Sequence, residues 1–502
     1  MEHSITIEPL GKRLFVSHGT LLSEVLRHTN VEFPCGGKGR CGNCRVKIVS
    51  GSVALTDAHA AILEAKGMGS SWRLACMSRV ECDLSIRIPV SAMSIAADES
   101  CISFVPGKGL GIAVDLGSTT VVLQLVDLRS GCVIRTESGV NPQTSYGAEI
   151  ISRISYAIQE VENLQVLSML TRNFIGGLIC GMCSEDERRE IVQVVIAGNT
   201  VMHHIFASLS LAPLASAPFL SPCNGAVSFT PSELGWSLPS TCNILFLPNL
   251  SHFIGSDILC GIKKCGMYNS DCWQLLIDLG TNGEMALGCR ERILCASTAA
   301  GPAFEGINIM CGMRAVDGAV YAIDRYTDGY SHLHTIADAT PRGFCGSGLV
   351  EAVHDLFFNQ IIDCTGAFTE SDMTRYYFDD HVFLDIKDIR EFQLAKAALC
   401  AGVDLLIRQA GITVDMIERI FITGGLGYYI NIEKMQRIGM FEQFDKHRFD
   451  KLPNASLGGA KHFLFKNGQA EISRILSLVE HCSLESIQAF QNIFCEKMFF
   501  PF

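Results

Sequence analysis

Apolar and polar positions in the first 90 residues predict a small domain of mixed strands and helix. The predicted elements are strands at 4–9, 13–17 and 45–49 and a helix at 20–28. Residues 91–108 are small, polar and rich in turn formers, which is typical of a linker. The charge changes at the same place, because residues 1–90 balance to +3 and the remainder to −15. We therefore expect an N-terminal domain at 1–90 and a larger acidic body.

Two hairpins in the body share one pattern. Residues 111–127 read as an apolar strand, an Asp-Leu-Gly-Ser turn and a second strand, and residues 275–288 repeat the pattern with Asp-Leu-Gly-Thr. The order of three strands, helix, strand and helix follows in both cases, so we expect an internal duplication with halves at 109–270 and 271–502. The other predicted elements are strands at 131–138, 243–247 and 418–423, a strand–helix unit at 192–207, three strands within 274–297, and helices at 147–160, 255–265, 347–358, 391–409 and from 426.

The composition agrees with a large folded protein. Of 502 residues, 48% are hydrophobic and 18% charged, which is enough apolar material for several cores. The net charge of −12 argues against a nucleic-acid partner. Neither a secretory signal nor an apolar run of membrane-spanning length is visible, and a chain of this length with 22 cysteines is no disulfide scaffold. We expect a cytoplasmic protein from a reducing, anaerobic setting that binds no membrane.

Four cysteines of the N-terminal domain have a spacing suited to an iron–sulfur cluster. Cys35, Cys41 and Cys44 lie in a glycine-rich loop, and Cys76 follows in a distant Arg-Leu-Ala-Cys-Met segment. Glycines let the backbone wrap around a cluster while thiolates hold its irons. Zinc is the alternative, but zinc sites usually pair two short cysteine knuckles and only one is present. Cys82 competes with Cys76 as fourth ligand, although its alternating neighbours favour a core thiol.

The Asp-Leu-Gly turns of the two hairpins suit phosphate binding. Glycine allows close backbone approach, hydroxyl and amide groups bind phosphate oxygens, and an aspartate can hold Mg²⁺ through water or position a nucleophile. Each turn alone is also an ordinary loop, so their repetition in matching context carries the prediction. The candidate residues are Asp115, Gly117, Ser118 and Thr119 in the first turn and Asp278, Gly280, Thr281 and Asn282 in the second.

Both parts resemble known folds. The spacing of the cysteines resembles the adrenodoxin-like [2Fe–2S] ferredoxins, which have an α+β, β-grasp fold. The duplicated elements resemble the α/β actin-like ATPase fold of sugar kinases, acetate kinase and Hsp70, in which ATP lies between two halves. Residues 421–427 resemble the adenosine motif of that fold, which implies that Gly424, Gly425 and Gly427 flank adenosine. The expected fold class is therefore a multidomain protein with a ferredoxin-like domain followed by a duplicated actin-like ATPase.

The combination resembles the reductive activators of corrinoid-dependent enzymes over nearly the whole chain. The matching stretches are Ala-Gly-Asn-Thr-Val-Met-His-His at 197–204, Leu-Pro-Asn-Leu at 247–250, Ala-Ala-Gly-Pro-Ala-Phe-Glu-Gly at 299–306, Cys-Gly-Met-Arg-Ala at 311–315, Gly-Phe-Cys-Gly-Ser-Gly-Leu at 343–349, Tyr-Ile-Asn at 429–431 and the C-terminal Met-Phe-Phe-Pro. Two features depart from the family: a short linker replaces a small domain between ferredoxin and ATPase, and the adenosine-like run reads Thr-Gly-Gly-Leu-Gly where Gly-Ala-Phe-Gly is expected.

The resemblance implies an ATP-hydrolysing electron-transfer enzyme that returns an oxidised Co(II) corrinoid to Co(I) for methyl transfer. It implies a [2Fe–2S] cluster on the four cysteines, and ATP with Mg²⁺ in the cleft. Asp115 and Asp278 then serve Mg²⁺ and the attacking water, with Asp278 favoured as the base. The implied partners are a corrinoid protein of a methyltransferase system, a low-potential electron donor, and a second copy of the chain in a homodimer.

Two other functions stay open. One is a metabolite kinase with a redox-sensing ferredoxin arm, and the other is an ATP-driven activator of another reductase, like the 2-hydroxyacyl-CoA dehydratase activators. A branch with [4Fe–4S] clusters on C-terminal cysteines fits poorly, because only Cys482 and Cys495 lie there.

Several residues have a functional and a structural interpretation. The functional ones are His203 and His204 as cobalt ligands, Glu305 as a cleft carboxylate, Gly346-Ser347-Gly348 as an anion site, and Cys180 and Cys183 as a redox pair. The structural alternative for the two histidines is helix packing, and for Glu305 it is a loop salt bridge. For the Gly346–Gly348 segment it is a helix cap, and for the two cysteines it is a pair of helix-end thiols.

Overall fold

The computed structural model describes residues 2–8, 12–26, 31, 39, 42, 44–65, 68–88, 104–147, 149–216, 219–280, 282–325, 331–484 and 487–501. Cys35, Cys41, Thr281 and most of the predicted linker lie outside these ranges. Among the described helices, none combines the length and the apolarity needed to cross a membrane.

The N-terminal domain is a five-stranded mixed sheet with two helices. Its strand order is β2-β1-β5-β3-β4, in which β1 and β5 pair in parallel and the other neighbours are antiparallel. Alternate side chains such as Ile5, Ile7 and Ile86 are fully buried on one face, as a half-exposed sheet requires. The elements are β1 Glu2–Glu8, β2 Lys12–Ser17, α1 Leu22–Leu26, β3 Arg45–Ser50, α2 Asp57–Ala65, β4 Trp72–Leu74 and β5 Leu84–Arg87.

The first half of the body is a six-stranded sheet with order β10-β11-β9-β6-β7-β8. Its central strand β6 is buried along nearly its whole length, because helices cover both faces of the sheet. The elements are β6 Leu110–Leu116, β7 Thr120–Asp127, β8 Val133–Val140, α3 Ile150–Ala157, α4 Val161–Met182, α5 Glu185–Glu190, β9 Ile191–Gly198, α6 Thr200–Phe206, α7 Ala212–Ala215, β10 Val227–Phe229, α8 Pro231–Leu234, β11 Asn243–Phe246 and α9 Ser256–Cys265.

The second half has a six-stranded sheet with order β21-β20-β12-β13-β14-β22 and two smaller sheets, β16-β15-β17 and β18-β19. The elements are β12 Trp273–Leu279, β13 Gly283–Gly288, β14 Ile293–Thr298, β15 Ala319–Arg325, β16 Ser331–Thr335, β17 Gly343–Phe344, α10 Gly346–Phe358, β18 Arg375–Tyr377, β19 Phe383–Asp385, α11 Ile386–Ala410, β20 Ile417–Thr423, α12 Gly424–Gly427, α13 Ile432–Arg437, β21 Phe449–Lys451, α14 Ala455–Phe463, α15 Lys466–Leu478, β22 Val479–His481 and α16 Ala489–Lys497.

The two large sheets confirm the internal duplication. In each, three antiparallel strands (β6 to β8, and β12 to β14) are followed by a strand parallel to the first, β9 in one sheet and β20 in the other. Asp115 and Asp278 occupy the same position, one residue before the end of the first strand. The duplication therefore brings two equivalent carboxylates to equivalent strand ends.

Helix α14 ties the second half to the first. It packs against α9 and β6, and a side chain at Gly459 would meet the carbonyl oxygen of Cys260 at 2.1 Å. Glycine at this position therefore permits a close approach of the two helices. As a result, the start of α14 reaches the strand end that carries Asp115.

Candidate functional site

A cavity of about 670 Å³ lies between the two halves, at the ends of β6 and β12. Both hairpin turns line it, and so does the start of α12. Gly427 is buried behind this wall, against the side chain of Ile422. The predicted residues that line the cavity are Asp115, Gly117, Ser118, Thr119, Asp278, Gly280, Asn282, Gly424 and Gly425. Thus the cavity joins the two turns and the adenosine-like motif in one site.

Asp115 is held by two residues from the other half of the body. Asn454 Nδ2 donates a 3.0 Å hydrogen bond to Asp115 Oδ2, and Ser456 Oγ donates a 2.7 Å bond to Oδ1. Burial raises the pKa of Asp115, and these two hydrogen bonds act in the opposite direction. Neither residue was predicted from the sequence; the local signal there is Asn454 as the helix cap of α14, where it accepts a hydrogen bond from the Leu457 amide.

Asp278 lies deeper in a group of acids. Burial raises the pKa of Asp278 to about 8, with further increases from the charges of Asp257, Asp115 and Glu305. Burial likewise raises the pKa of Asp257 to about 7, and the charge of Asp115 adds to the effect. Without a cation in the cavity, these carboxyl groups therefore hold protons near neutral pH.

Glu284 directly faces Asp278 across the β12–β13 ladder. It is 5% exposed, and burial together with the charges of Asp257 and Asp278 raises its pKa well above the usual range. Opposed buried carboxylates repel each other, so a bound cation would stabilise their ionised forms. The acidic end of the cavity is therefore suited to a cation.

The donor set around Asp278 fits a magnesium–phosphate complex. In the part of the chain that the structure describes, no three His, Cys, Asp or Glu side chains could hold a metal by themselves. Mg²⁺ normally keeps several waters and binds through one or two carboxylates together with substrate phosphates. Oxygen donors at Asp115 and Asp278, beside two phosphate-type turns, match that mode of binding.

Gly424 sits against Asp278. Its φ is +91°, and a side chain there would meet Asp278 Oδ1 at 2.4 Å and the Leu279 carbonyl oxygen at 2.7 Å. Only glycine combines this conformation with so close an approach. The adenosine-like motif is thereby packed directly onto the second hairpin turn.

Thr119 and Glu305 connect the halves across the cavity. Thr119 Oγ1 donates a 3.1 Å hydrogen bond to Glu305 Oε2. Glu305 ends the short turn Pro302–Glu305, which follows β14. Glu305 is therefore a cleft carboxylate whose described hydrogen-bond partner is a phosphate-turn threonine.

Cys44 and Cys76 lie together in the ferredoxin-like domain. Their Sγ atoms are 3.2 Å apart without a disulfide, both side chains are buried, and the Ala75 amide donates to the Cys44 carbonyl at 2.8 Å. Two thiols so close, with no disulfide between them, suit ligands of one iron. Cys82 instead accepts a hydrogen bond from the Ser52 amide and is only partly buried. Cys82, which was expected to be a core thiol, therefore lies at the edge of the domain's core.

The other singled-out residues have mainly structural environments. His203 and His204 are fully buried in α6; His203 packs edge-on against Phe246, and His204 Nδ1 lies 2.8 Å from the Thr200 carbonyl oxygen. Burial and the charge of His204 lower the pKa of His203 to about 4. Both imidazoles are therefore core side chains remote from solvent.

Of the remaining candidates, the Gly346–Gly348 segment lies at the cavity, whereas the pair Cys180 and Cys183 lies at the end of α4. Gly346 and Ser347 line the cavity at the start of α10, and Cys345 Sγ lies 3.3 Å from Ser347 Oγ. Cys180 is exposed and Cys183 is buried near the end of α4, and burial raises the pKa of Cys183. A raised thiol pKa opposes redox reactivity at this pair.

Three family models match successive parts of the chain. They are a 2Fe-2S iron-sulfur cluster binding domain at residues 5–81, the RACo middle region at 110–270, and the C-terminal ASKHA domain of RACo at 273–502.

Two curated proteins and one solved structure are similar to most or all of the chain. The corrinoid activation enzyme RamQ of Eubacterium limosum is 32% identical over 75% of this chain and 69% of its own length. The [Co(II) methylated amine-specific corrinoid protein] reductase of Methanosarcina barkeri is 25% identical over 77% of this chain and 76% of its own. Among solved structures, a reductive activator for corrinoid, iron-sulfur protein matches 100% of this chain and 98% of its own with a TM-score of 0.71 and 26% identity.

Proposed function

The chain belongs to the RACo family of reductive activators, and from that premise we propose that it couples ATP hydrolysis to the reduction of a corrinoid protein from Co(II) to Co(I). The observation that carries the proposal is the presence in one chain of a cysteine pair suited to iron and a cavity lined by two phosphate-type turns. A ferredoxin alone needs no ATP, and a kinase alone needs no electrons. Their combination serves an electron transfer that is unfavourable without ATP.

The N-terminal domain supplies the electron. Cys35, Cys41, Cys44 and Cys76 hold a [2Fe–2S] cluster, which when bound accepts and donates single electrons. Burial of Cys44 and Cys76 keeps water from these ligands, and the short Ala75–Cys44 backbone contact fixes their spacing. A low-potential donor delivers the electron to this domain.

The cleft binds and hydrolyses ATP. Asp115 and Asp278 would hold Mg²⁺, which would offset the charge of the phosphates, and Asp278 accepts the proton of the attacking water. The phosphates lie on the two turns, where backbone amides and hydroxyl groups contact their oxygens, and the glycines of α12 leave room for adenosine. The predicted phosphate contacts are Gly117, Ser118, Thr119, Gly280, Thr281 and Asn282, and the predicted adenosine contacts are Gly424, Gly425 and Gly427.

The proposal extends to the setting of the reaction. The substrate is a corrinoid protein of a methyltransferase system. A corrinoid protein as substrate is supported by the similarity to a corrinoid activation enzyme and to a reductase of a Co(II) corrinoid protein. We propose domains at 1–90, 109–270 and 271–502 joined by a linker at 91–108, a homodimer, and a location in the cytoplasm.

The test is ATP hydrolysis by the reconstituted protein with and without a Co(II) corrinoid protein. We expect the corrinoid protein to stimulate phosphate release and the cobalt to be reduced in the presence of a low-potential donor. Phosphorylation of a small metabolite with no response to corrinoid protein would contradict the proposal and favour a kinase.

A further inference from the structure

The cavity between the halves is lined by many acids and, among the described residues, a single basic side chain. The acids are Asp115, Asp257, Asp278, Glu284, Glu305 and Asp338. The basic residue is Arg314. A nucleoside triphosphate would bring further negative charge into this acidic cavity. Among the described lining residues, Arg314 carries the positive charge that can offset it.

Backbone contacts hold the segment that carries Arg314. The Met313 amide donates to the Phe344 carbonyl at 2.9 Å, and the Phe344 amide donates to the Cys311 carbonyl at 2.7 Å. The Arg314 carbonyl accepts a 2.8 Å bond from the Val316 amide. Arg314 therefore projects from a fixed segment beside β17 rather than from a free loop.

The same segment is packed against the turn that ends at Glu305. A side chain at Gly306 would meet the Met313 amide nitrogen at 2.6 Å, and one at Gly312 would meet the Gly306 carbonyl oxygen at 2.1 Å. The two glycines bring the backbones of the segments into contact. Arg314 and Glu305 consequently lie on neighbouring segments of one wall of the cavity.

Glu305 locates this wall at the phosphate end of the cavity. Its carboxylate accepts the 3.1 Å hydrogen bond of Thr119, in the first phosphate-type turn. Arg153, which is fully buried in α3, interacts electrostatically with both Glu305 and Arg314. Burial lowers the pKa of Arg153 to about 9; the charge of Glu305 raises this pKa and the charge of Arg314 lowers it. Thus Arg153, Glu305 and Arg314 form one electrostatic group beside Thr119.

We propose that Arg314 is a catalytic residue of ATP hydrolysis whose guanidinium binds the terminal phosphoryl oxygens and stabilises the charge that develops during transfer. This inference rests on the proposed function. In the step, the bond between the terminal phosphorus and the bridging oxygen breaks, and its electron pair stays with ADP. The water oxygen forms the new bond to phosphorus, and its proton passes to Asp278. A planar guanidinium can contact two phosphoryl oxygens at once, which an ammonium group cannot do in the same geometry.

Arg314→Gln tests the role, with Arg342→Gln as the matched control. Arg342 is exposed, and its guanidinium donates a 3.5 Å hydrogen bond to the Asp317 carbonyl, outside the cavity. For Arg314→Gln we expect saturating ATP hydrolysis to fall about 100- to 1,000-fold, as for loss of a group that stabilises transition-state charge. Arg314→Lys should recover a small part of the activity. Arg342→Gln should hydrolyse ATP at the rate of the unchanged protein.

Nucleotide affinities separate catalysis from simple binding. The affinity of Arg314→Gln for ADP should stay within about threefold, while its affinity for ADP with aluminium fluoride, a transition-state analogue, should fall by roughly the factor lost in hydrolysis. Hydrolysis within threefold of the unchanged protein, or an equal loss for both ligands, overturns the proposal. The iron–sulfur absorption and melting temperature of each variant show whether it is folded.

Failure of the arginine proposal can be distinguished from failure of the proposed function. If the unchanged protein hydrolyses ATP without reducing Co(II), the proposed function fails, while a selective loss in Arg314→Gln still supports the catalytic arginine. If the unchanged protein reduces Co(II) with ATP and Arg314→Gln hydrolyses ATP equally fast, the arginine proposal fails alone.

Discussion

Ser456 donates a 2.7 Å hydrogen bond to Asp115, although 341 positions separate the two residues in the chain. Asp115 lies one residue before the end of the first strand of one half, and Ser456 lies in the first turn of a helix of the other half. The contact therefore gives the first carboxylate of the cleft a fixed orientation that depends on both halves being correctly packed.

Ser456→Ala should weaken ATP hydrolysis without unfolding the protein. Loss of a hydrogen bond to a buried carboxylate typically costs about 1.5–3 kcal/mol, which corresponds to roughly a ten- to 150-fold fall in kcat/KM if Asp115 acts in the transition state. Steady-state phosphate release measures the effect. The control is Ser477→Ala, an exposed serine that bonds the Arg474 carbonyl, and equal rates in the two variants would contradict the role of Ser456.

Cys76→Ala and Cys82→Ala should separate the fourth cluster ligand from its competitor. Cys76 Sγ lies 3.2 Å from Cys44 Sγ, whereas Cys82 contacts the backbone of Ser52. We expect Cys76→Ala to lose bound iron and the visible absorption, and Cys82→Ala to keep both. Iron analysis and the visible spectrum of the reconstituted proteins show which variant keeps the cluster. A cluster retained by Cys76→Ala would show that Cys76 is not a ligand.

The protein without nucleotide and Mg²⁺ should lose stability as the pH rises. The pKa of Asp278 is raised to about 8 and that of Asp257 to about 7, so the folded state holds protons that the unfolded state releases above about pH 4. The stabilisation is complete below pH 4 and is lost towards pH 8, with a slope of at most about 1.4 kcal/mol per pH unit for each proton.

Thermal unfolding between pH 5.5 and 8.5 measures this effect. Asp278→Asn, which carries no titrating group at this position, should show a shallower dependence. Asp415→Asn alters an exposed acid outside the cavity and should retain the steep one. Identical slopes in the three proteins would contradict the protonation assigned to the cleft.

Gly424→Ala should impair the nucleotide site. Alanine at a φ of +91° is strained by about 1–2 kcal/mol, and its methyl group would displace Asp278. We expect ADP affinity and ATP hydrolysis each to fall at least about tenfold. Gly177→Ala, in α4 with no atom within 4 Å of the added carbon, is the control and should leave both measurements unchanged. Full activity in Gly424→Ala would show that the close approach has no functional role.

The hairpins of the cleft could be predicted from the sequence because their signal is local. The apolar runs that become β6 and β12 each end at an Asp-Leu-Gly turn, so strand, turn and carboxylate are encoded within about ten residues. The structure confirms the duplicated fold that this repetition predicted. By contrast, Asn454 and Ser456 reach the same site only through the packing of α14 on α9 and β6, which no local pattern records.

Helix α4 shows a second reason for a missed element. This helix of 22 residues was not predicted, because its outward side includes apolar side chains such as Val161 and Met169 that blur the helical period. Helix α3 was predicted at 147–160 but is Ile150–Ala157, since Gly147, with a φ of +153°, lies in the preceding turn. The helix predicted from 426 begins at Gly424 and ends at Gly427.

The most direct test of ATP-coupled reduction is the time course of Co(II) loss in a corrinoid protein mixed with the prereduced protein. The visible spectrum should change to that of Co(I) with ATP and Mg²⁺, and should stay unchanged without nucleotide. Asp278→Asn should keep its cluster but fail to produce Co(I), and Cys76→Ala should fail because it has no cluster. Formation of Co(I) at the same rate without ATP, or in Asp278→Asn, would contradict the coupling of the nucleotide cleft to electron transfer.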